Sequence, residues 1–359
     1  MTKPTLSIII PAYNCENHIS HMVQSIQASS FPDWELIIVN DKSTDRTKVV
    51  VADLAKSDRR INLVNQRQNG GASVARNTGI GKARGQYVMF LDADDELKPH
   101  ALATFIKAIE QPQVDLAVSG FTIQAFRGGH RLSSVNTCLN KLPDQGRDES
   151  WRLYILRLLG LDGRLYQVWN KIYRADIIHE HQLTFPVGIN FGEDLLFNLS
   201  YYAHMTGRIK FIHQPLYIYR QNLDSGTFSK SSLIYANRQQ NYRAVLDFMS
   251  TEPDSPTKAS LLSWLRYNWI YSHLLAISSS QLSHTQKLTS MREIATSDGN
   301  TPFSDPVIIG SRRVKVEKLL HYLINHPRLA ISVIGLSNRV KNSRLFAGVW
   351  QSARRRLNN

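Results

Sequence analysis

Four carboxylates crowd five positions, Asp92, Asp94, Asp95 and Glu96, in the stretch "GQYVMFLDADDEL" (85–97), directly behind an apolar run. Like charges this close repel, so the cluster costs stability unless a cation sits there. The D-x-D of Asp92 and Asp94 has the chemistry to share a divalent ion, Mn²⁺ or Mg²⁺, whose shell is completed by substrate phosphates. The other reading of the same spacing is a solvated acidic turn that caps the helix after Pro99. Three further groups carry polar side chains at element ends. Asp41 follows "ELIIVN", where an Asx-turn competes with a ligand role. In "NGGASVARNTGI", Asn69, Gly70 and Gly71 turn into a helix whose first N–H groups face outward, with Arg76 and Asn77 one turn inside. It has neither a Gly-Lys-Ser/Thr ending nor G-x-G-x-x-G. In "GEDLLF", Glu193 and Asp194 open a helix, where the helix dipole favours acids in any case. A partly buried carboxylate there would also serve as a general base. In "VWNKIY", Trp169, Asn170 and Lys171 combine an aromatic with polar neighbours, suited to a sugar ring or, for the Trp, to a core.

The elements that must position these groups alternate. "LSIIIP" (6–11) and "ELIIVN" (35–40) read as strands buried on both faces. Between them, 17–29 has Ile19, Met22, Val23 and Ile26 at helical spacing. "DKSTDRTKVVVADLAK" predicts a helix capped by Ser43 or Thr44. "INLVN", "QYVMFL" and "VDLAVSG" are three more strands, and "HALATFIKAIE" is a helix before the last of them. This predicts an α/β fold with a mostly parallel sheet, whose ligands bind outside the carboxyl ends of the strands. Asp41 and the acidic cluster both occupy such ends. From 120 onward, "AFRGGHRLSSVNTCLNKLPDQGR" is polar and turn-rich and reads as an excursion or loop. Helical patterns follow at 149–160, over "FGEDLLFNLSYYAH" and beyond 230, with a strand region in "RIKFIHQPLYIYR".

Taken in order, "SIIIPAYN", "ELIIVNDKSTDRT", "NGGASVARNTGIGKARGQYVMFLDADD", "WNKIYR" and "GEDLLF" resemble the family 2 glycosyltransferases, which have the GT-A fold and use nucleotide sugars. The resemblance covers residues 4 to 225. It implies a nucleotide-sugar-binding half over 1–120 and an acceptor-binding half with the catalytic base over 121–228. A helical, basic C-terminal region follows over 229–359. It further implies that Pro11, Ala12 and Tyr13 line a base pocket, that Asp41 bonds the base, commonly uracil, and that Arg76 holds the nucleotide. Asp92 would reach the ribose or metal shell, Asp94 would be the principal metal ligand and Asp194 the catalytic base. Glu193, Trp169, Asn170 and Lys171 would meet the donor or acceptor sugar. The implied reaction is metal-dependent, inverting transfer of a hexosyl or N-acetylhexosaminyl group from a UDP-sugar to a glycan or lipid-linked acceptor, in surface polysaccharide or glycoconjugate synthesis. Processive synthases carry Q-x-x-R-W and membrane spans. Here "QNYRA" (240–244) lacks the Trp and no window has a span's length, so one sugar per encounter is expected.

The chain of 359 residues carries a net charge of +14, unevenly spread. Residues 301–359 hold eleven Lys/Arg against two acids. Basic residues interleaved with Leu, Phe and Trp350 suit an anionic membrane surface. Two cysteines, Cys15 and Cys138, exclude a disulfide framework and fit the cytosol, and "MTKPTLSIIIP" reads as a strand rather than a signal peptide. The expected location is therefore cytoplasmic, peripheral to the membrane. The rival readings are a nucleic-acid-binding protein using the basic tail, for which the chain has no aromatic platform motif, and a glycosidase pairing Asp94 with Asp194.

Overall fold

The computed structural model describes residues 3–138, 145, 148–162, 165–189, 191–222, 231–263, 265–266, 277, 283 and 285–289. Residues 301–359, and with them the basic tail, lie outside the described residues. Two compact units are formed, one from residues 1–142 and 165–224, the other from 143–164 and 225–359.

The first unit begins with β1 (Leu6–Ala12), α1 (Ile19–Gln27), β2 (Trp34–Asn40), α2 (Thr47–Ser57), β3 (Ile61–Asn65), α3 (Gly71–Ile80), β4 (Tyr87–Phe90), β5 (Glu96–Leu97) and α4 (Ala101–Ile109). It continues with β6 (Val114–Arg127), β7 (His130–Thr137), β8 (Lys171–Arg174), α6 (Ala175–Glu180), α7 (Glu193–His204) and β9 (Arg208–Asn222). The second unit has α5 (Trp151–Asp162) and α8 (Ser231–Phe248), where Arg152 donates to the Phe248 carbonyl at 2.5 Å. Among the described residues no helix is long and apolar enough to cross a membrane.

The sheet order is β3-β2-β1-β4-β8-β6-β9-β5, with β7 paired to β6. Strands β3, β2, β1 and β4 are parallel, β8 enters antiparallel, and β6 and β9 resume the first direction. The apolar runs of β1 and β2 are buried because helices cover both faces of a parallel sheet. α1 buries the four apolar residues expected from its spacing, Ile19, Met22, Val23 and Ile26.

Two local expectations are corrected. Neither Ser43 nor Thr44 caps α2; Asp45 accepts from the Thr47 N–H instead, at 2.9 Å, while Asn14 engages both Ser43 and Thr44. The polar segment after 120 forms an antiparallel hairpin, β6–β7, turned by Gly128 and Gly129, both at positive φ. The two-glycine turn is the signal that could have found it. The exposed β7 supplies no apolar alternation to confirm it.

Helix α3 lies tight on β1. A Cβ on Gly79 would come within 2.3 Å of Ile9 Cγ2, whereas one on Gly81 meets nothing closer than 3.7 Å. Gly79→Ala is expected to cost about 1–3 kcal/mol of overpacking, while Gly81→Ala stays within about 0.5 kcal/mol of the parent. Urea unfolding of the two variants checks this, and equal stabilities would contradict the close approach.

Candidate active site

The carboxyl ends of β1 and β2 are stitched together by side chains. Asn14 and Lys42, just past the two strands, both adopt left-handed backbone angles, with φ of 48° and 55°. Such angles in non-glycine residues concentrate at functional sites. Asn14 Oδ1 accepts from the Thr44 N–H at 2.8 Å, and Thr47 Oγ1 accepts from the Cys15 N–H at 2.8 Å. This frame buries Ala12 and leaves the Tyr13 ring 51% exposed. Pro11 is half-buried. Asp41 is buried, and its two carboxylate oxygens accept from the Gly70 and Gly71 N–H groups, each at 2.8 Å. Asp41 therefore fixes the glycine turn that opens α3, across a separation of 29 and 30 residues rather than as a local Asx-turn. Gly71 sits at φ +81°, an angle that side-chain-bearing residues rarely adopt.

One turn into α3, Arg76 is only 4% exposed and forms the centre of the site. Its Nη2 donates to Asp92 at 2.9 Å, and its Nη1 donates to Asp194 at 3.0 Å and reaches Glu193 at 3.5 Å. Burial works against its charge, but the three carboxylates outweigh this and raise its pKa. The guanidinium lies over the Phe185 ring, 5.2 Å from its centroid. Asn77, the next residue of α3, clamps the Phe185 backbone from both sides: it accepts from the N–H at 2.7 Å and donates to the carbonyl at 2.8 Å. Phe185 in turn stacks on Phe197 at 4.2 Å and meets Phe90 edge-on. Thus Arg76 is held from below by an aromatic wall, and its charge points at acids rather than at an outside anion. The role expected of Arg76 toward the nucleotide therefore has to be met alongside these three ion pairs.

Asp194 opens α7 behind Gly192, whose φ of 94° places it in the left-handed region. The second carboxylate oxygen of Asp194 accepts from the Val168 N–H at 3.2 Å. Burial pushes its pKa up to about 7; Arg76 pulls it down, while Glu193 and Asp92 push it further up. A carboxylate of that basicity can take a proton from a hydroxyl near neutral pH.

The four acids of the opening stretch separate clearly. Asp92 faces Arg76. Asp94 is exposed, and its carboxylate takes no hydrogen bond or ion pair from a side chain among the described residues. Asp95 is buried, accepting from Tyr217 Oη at 2.6 Å and the Arg220 N–H at 2.7 Å. Burial and the neighbouring Asp94 and Asp92 raise its pKa well above the usual range. Glu96 pairs with Arg220. Asp95 and Glu96 therefore pin β9 to this loop and do not cap α4, which His100 precedes. Among the described residues no group of three or more His, Cys, Asp or Glu is arranged to hold a metal alone.

Trp169, Asn170 and Lys171, expected at a sugar, are inside the protein. Trp169 is 6% exposed, stacked on Tyr217 at 4.5 Å and met edge-on by Phe121 at 4.8 Å. Asn170 exchanges bonds with Ser119, and Lys171 donates to Asn170 Oδ1 at 2.9 Å and to the Gln167 carbonyl. The motif lies at the start of β8, the antiparallel strand, which returns it to the edge where β4 ends and sets Lys171 opposite Val118 of β6. Sequence spacing could not reveal that all three point inward. It also missed Phe185, whose backbone Asn77 clamps and whose ring lies under Arg76.

A sheet of this order, with an acid-ringed arginine at its carboxyl edge, defines a GT-A fold. A solved structure of S. aureus TarS 1-349, in complex with UDP-GlcNAc, matches with a TM-score of 0.65 at 19% identity, over 93% of this chain and 91% of that one. The Glycosyl transferase family 2 model matches residues 7–179. The uncharacterized glycosyltransferase EpsJ of Bacillus subtilis is 34% identical over 252 residues, 68% of this chain and 70% of EpsJ. The putative teichuronic acid biosynthesis glycosyltransferase TuaG, also of B. subtilis, is 38% identical over 126 residues, 35% of this chain and 50% of TuaG. The chain belongs to glycosyltransferase family 2, and it is a transferase.

The Arg76 node sets a pH dependence. The folded-state pKa of Asp194 is raised to about 7 from its ordinary value of 3.8, so between those values the folded chain holds a proton that the unfolded chain has released. The contribution of this group to stability is then present at low pH and falls as pH rises through that window. Arg76→Met leaves three carboxylates without their cation, at a cost of about 3–5 kcal/mol. Urea unfolding is expected to show a larger loss for Arg76→Met at pH 8 than at pH 5, and a larger loss at pH 5 would contradict the assignment.

Proposed function

We propose that the protein moves a single hexosyl or N-acetylhexosaminyl group from a UDP-sugar to a hydroxyl of a glycan or lipid-linked acceptor, inverting the anomeric centre. The observation that carries this reading is Asp194, a half-buried carboxylate tied to Arg76 at the helix start, its pKa raised to about 7. In the reaction the acceptor oxygen attacks the anomeric carbon as the bond to the diphosphate breaks, and Asp194 takes the hydroxyl proton. Arg76 offsets the charge of Asp92 and Glu193, which would otherwise push the base's pKa higher still. Glu193, half-buried beside the base, would meet the donor or acceptor sugar.

The exposed face of Tyr13 suits stacking of the uracil ring, within the pocket that Pro11 and the backbone of Ala12 border. Asp41 acts on that pocket through the Gly70–Gly71 turn it holds. Asp94, with Asp92 adjacent, would hold a single divalent cation, Mn²⁺ or Mg²⁺, whose remaining ligands would be diphosphate oxygens and water. When bound, it offsets the negative charge of the departing diphosphate. The UDP-GlcNAc complex of TarS supports a UDP-sugar donor, and the printed role of TuaG supports a cell-surface polymer as destination. Neither cysteine forms a disulfide, which fits a cytoplasmic enzyme.

The decisive experiment is a panel of nucleotide sugars with and without Mn²⁺, run beside Asp194→Asn and Asp94→Ala. Asp194→Asn is expected to lose about 10²–10⁴-fold in turnover while UDP binding, read by calorimetry, is retained. Asp94→Ala is expected to lose the Mn²⁺-dependent part of UDP binding. Wild-type turnover in Asp194→Asn, or Mn²⁺-enhanced UDP binding in Asp94→Ala, contradicts the respective role.

A further inference from the structure

Lys171 is fully buried, and a buried ammonium is costly unless its hydrogens are satisfied and a counter-charge is near. Its acceptors include the Gln167 carbonyl and Asn170 Oδ1. The Gln167 carbonyl belongs to the same peptide group as the Val168 N–H, and that N–H donates to Asp194 Oδ2. One peptide plane therefore has its oxygen on the lysine and its hydrogen on the carboxylate identified above as the general base. Asn198, one turn beyond Asp194 on α7, donates to the same carbonyl at 3.2 Å and to the Tyr166 carbonyl at 2.8 Å. Tyr173 Oη donates to Asn198 Oδ1 at 2.8 Å, so the plane is held from both β8 and α7.

We propose that Lys171 is a positioning residue for Asp194: through the Gln167–Val168 peptide it fixes and polarises the N–H that the base accepts. An ammonium on the carbonyl makes the amide N–H a stronger donor, and hydrogen bonds that share a group strengthen one another. The donor favours the ionised carboxylate, as does the ammonium's own field. The proposal rests on the reading of Asp194 as the base. It also accounts for a buried lysine in a segment whose neighbours, Trp169 and Asn170, are ordinary core residues.

The charged and titratable groups that face Asp194 are Arg76 from α3, Asp92 from behind β4, Glu193 from α7, and Lys171 and Tyr173 from β8. Burial brings the Lys171 pKa down to about 7, and Asp194 pulls it back up. The two groups therefore titrate in one range, and each proton affinity depends on the charge of the other.

The test uses the full chain and readouts that do not need turnover. Difference infrared titration follows the Asp194 carboxyl, its band assigned by loss in Asp194→Asn. In Lys171→Met the midpoint is expected to rise by about one pH unit, a tenfold gain in proton affinity. Lys171→Arg, which keeps the cation, is expected to restore most of the difference. An unchanged midpoint in Lys171→Met overturns the proposal. Should the buried methionine prevent folding, the reciprocal measurement stands: nitrogen NMR of the lysine Nζ groups in wild type and Asp194→Asn. Linkage requires the Lys171 midpoint to fall in Asp194→Asn by the amount that the ammonium lowers that of Asp194. A Lys171 midpoint that does not move overturns the proposal equally. Either failure leaves the transferase reading intact, because that reading is tested separately by the donor panel.

Discussion

One guanidinium holds three carboxylates that the chain brings from two distant places. Asp92 stands behind β4, while Glu193 and Asp194 open α7, more than a hundred residues later. Without Arg76 these half-buried acids would repel one another, with water screening them only in part. The rest of the local structure serves that contact. Gly79 lets α3 lie against β1, Asn77 clamps the Phe185 backbone, and the Phe185 ring supports the guanidinium from beneath.

The sheet explains how such separated segments meet. In a purely parallel sheet the start of a strand lies at the far edge from its neighbours' carboxyl ends. Strand β8 runs antiparallel to β4 and β6, so the residues that precede it, Gln167 to Asn170, return to the ligand edge. Val168 can then donate to Asp194, and Lys171 can secure the peptide behind it. Asp95 applies the same economy on the other side, tying the acidic loop to Tyr217 and Arg220 of β9. Of four neighbouring acids, one thus serves the fold, one is paired with Arg76, one is paired with Arg220, and Asp94 has no ion pair among the described residues.

Much of this was legible in the residues, for physical reasons that also mark where legibility stopped. Strands β1, β2 and β4 announce themselves because burial on both faces demands apolar runs, and helical spacing in α1 and α4 shows which side faces the sheet. The β6–β7 hairpin was hidden because β7 is exposed and carries no apolar alternation. Asp41, Arg76 and Asp194 were singled out as polar residues at element ends, a position that strand direction alone reveals. Their partners were not visible, since ion pairs between residues over a hundred positions apart leave no spacing signal. The same limit explains Trp169, Asn170 and Lys171. Their types suit a sugar as well as a core, and only the packing of Trp169 against Tyr217 and Phe121 decides.

The central claim is that the Arg76-centred cluster keeps Asp194 as a base that ionises near neutrality. The most direct measurement is the pH dependence of kcat/KM for sugar transfer, at fixed free Mn²⁺ and with the donor chosen by the panel. The account predicts an acid limb in which activity falls about tenfold per pH unit below an apparent pKa near 7 and levels off above it. A profile that stays flat from pH 5 to pH 8 would contradict it.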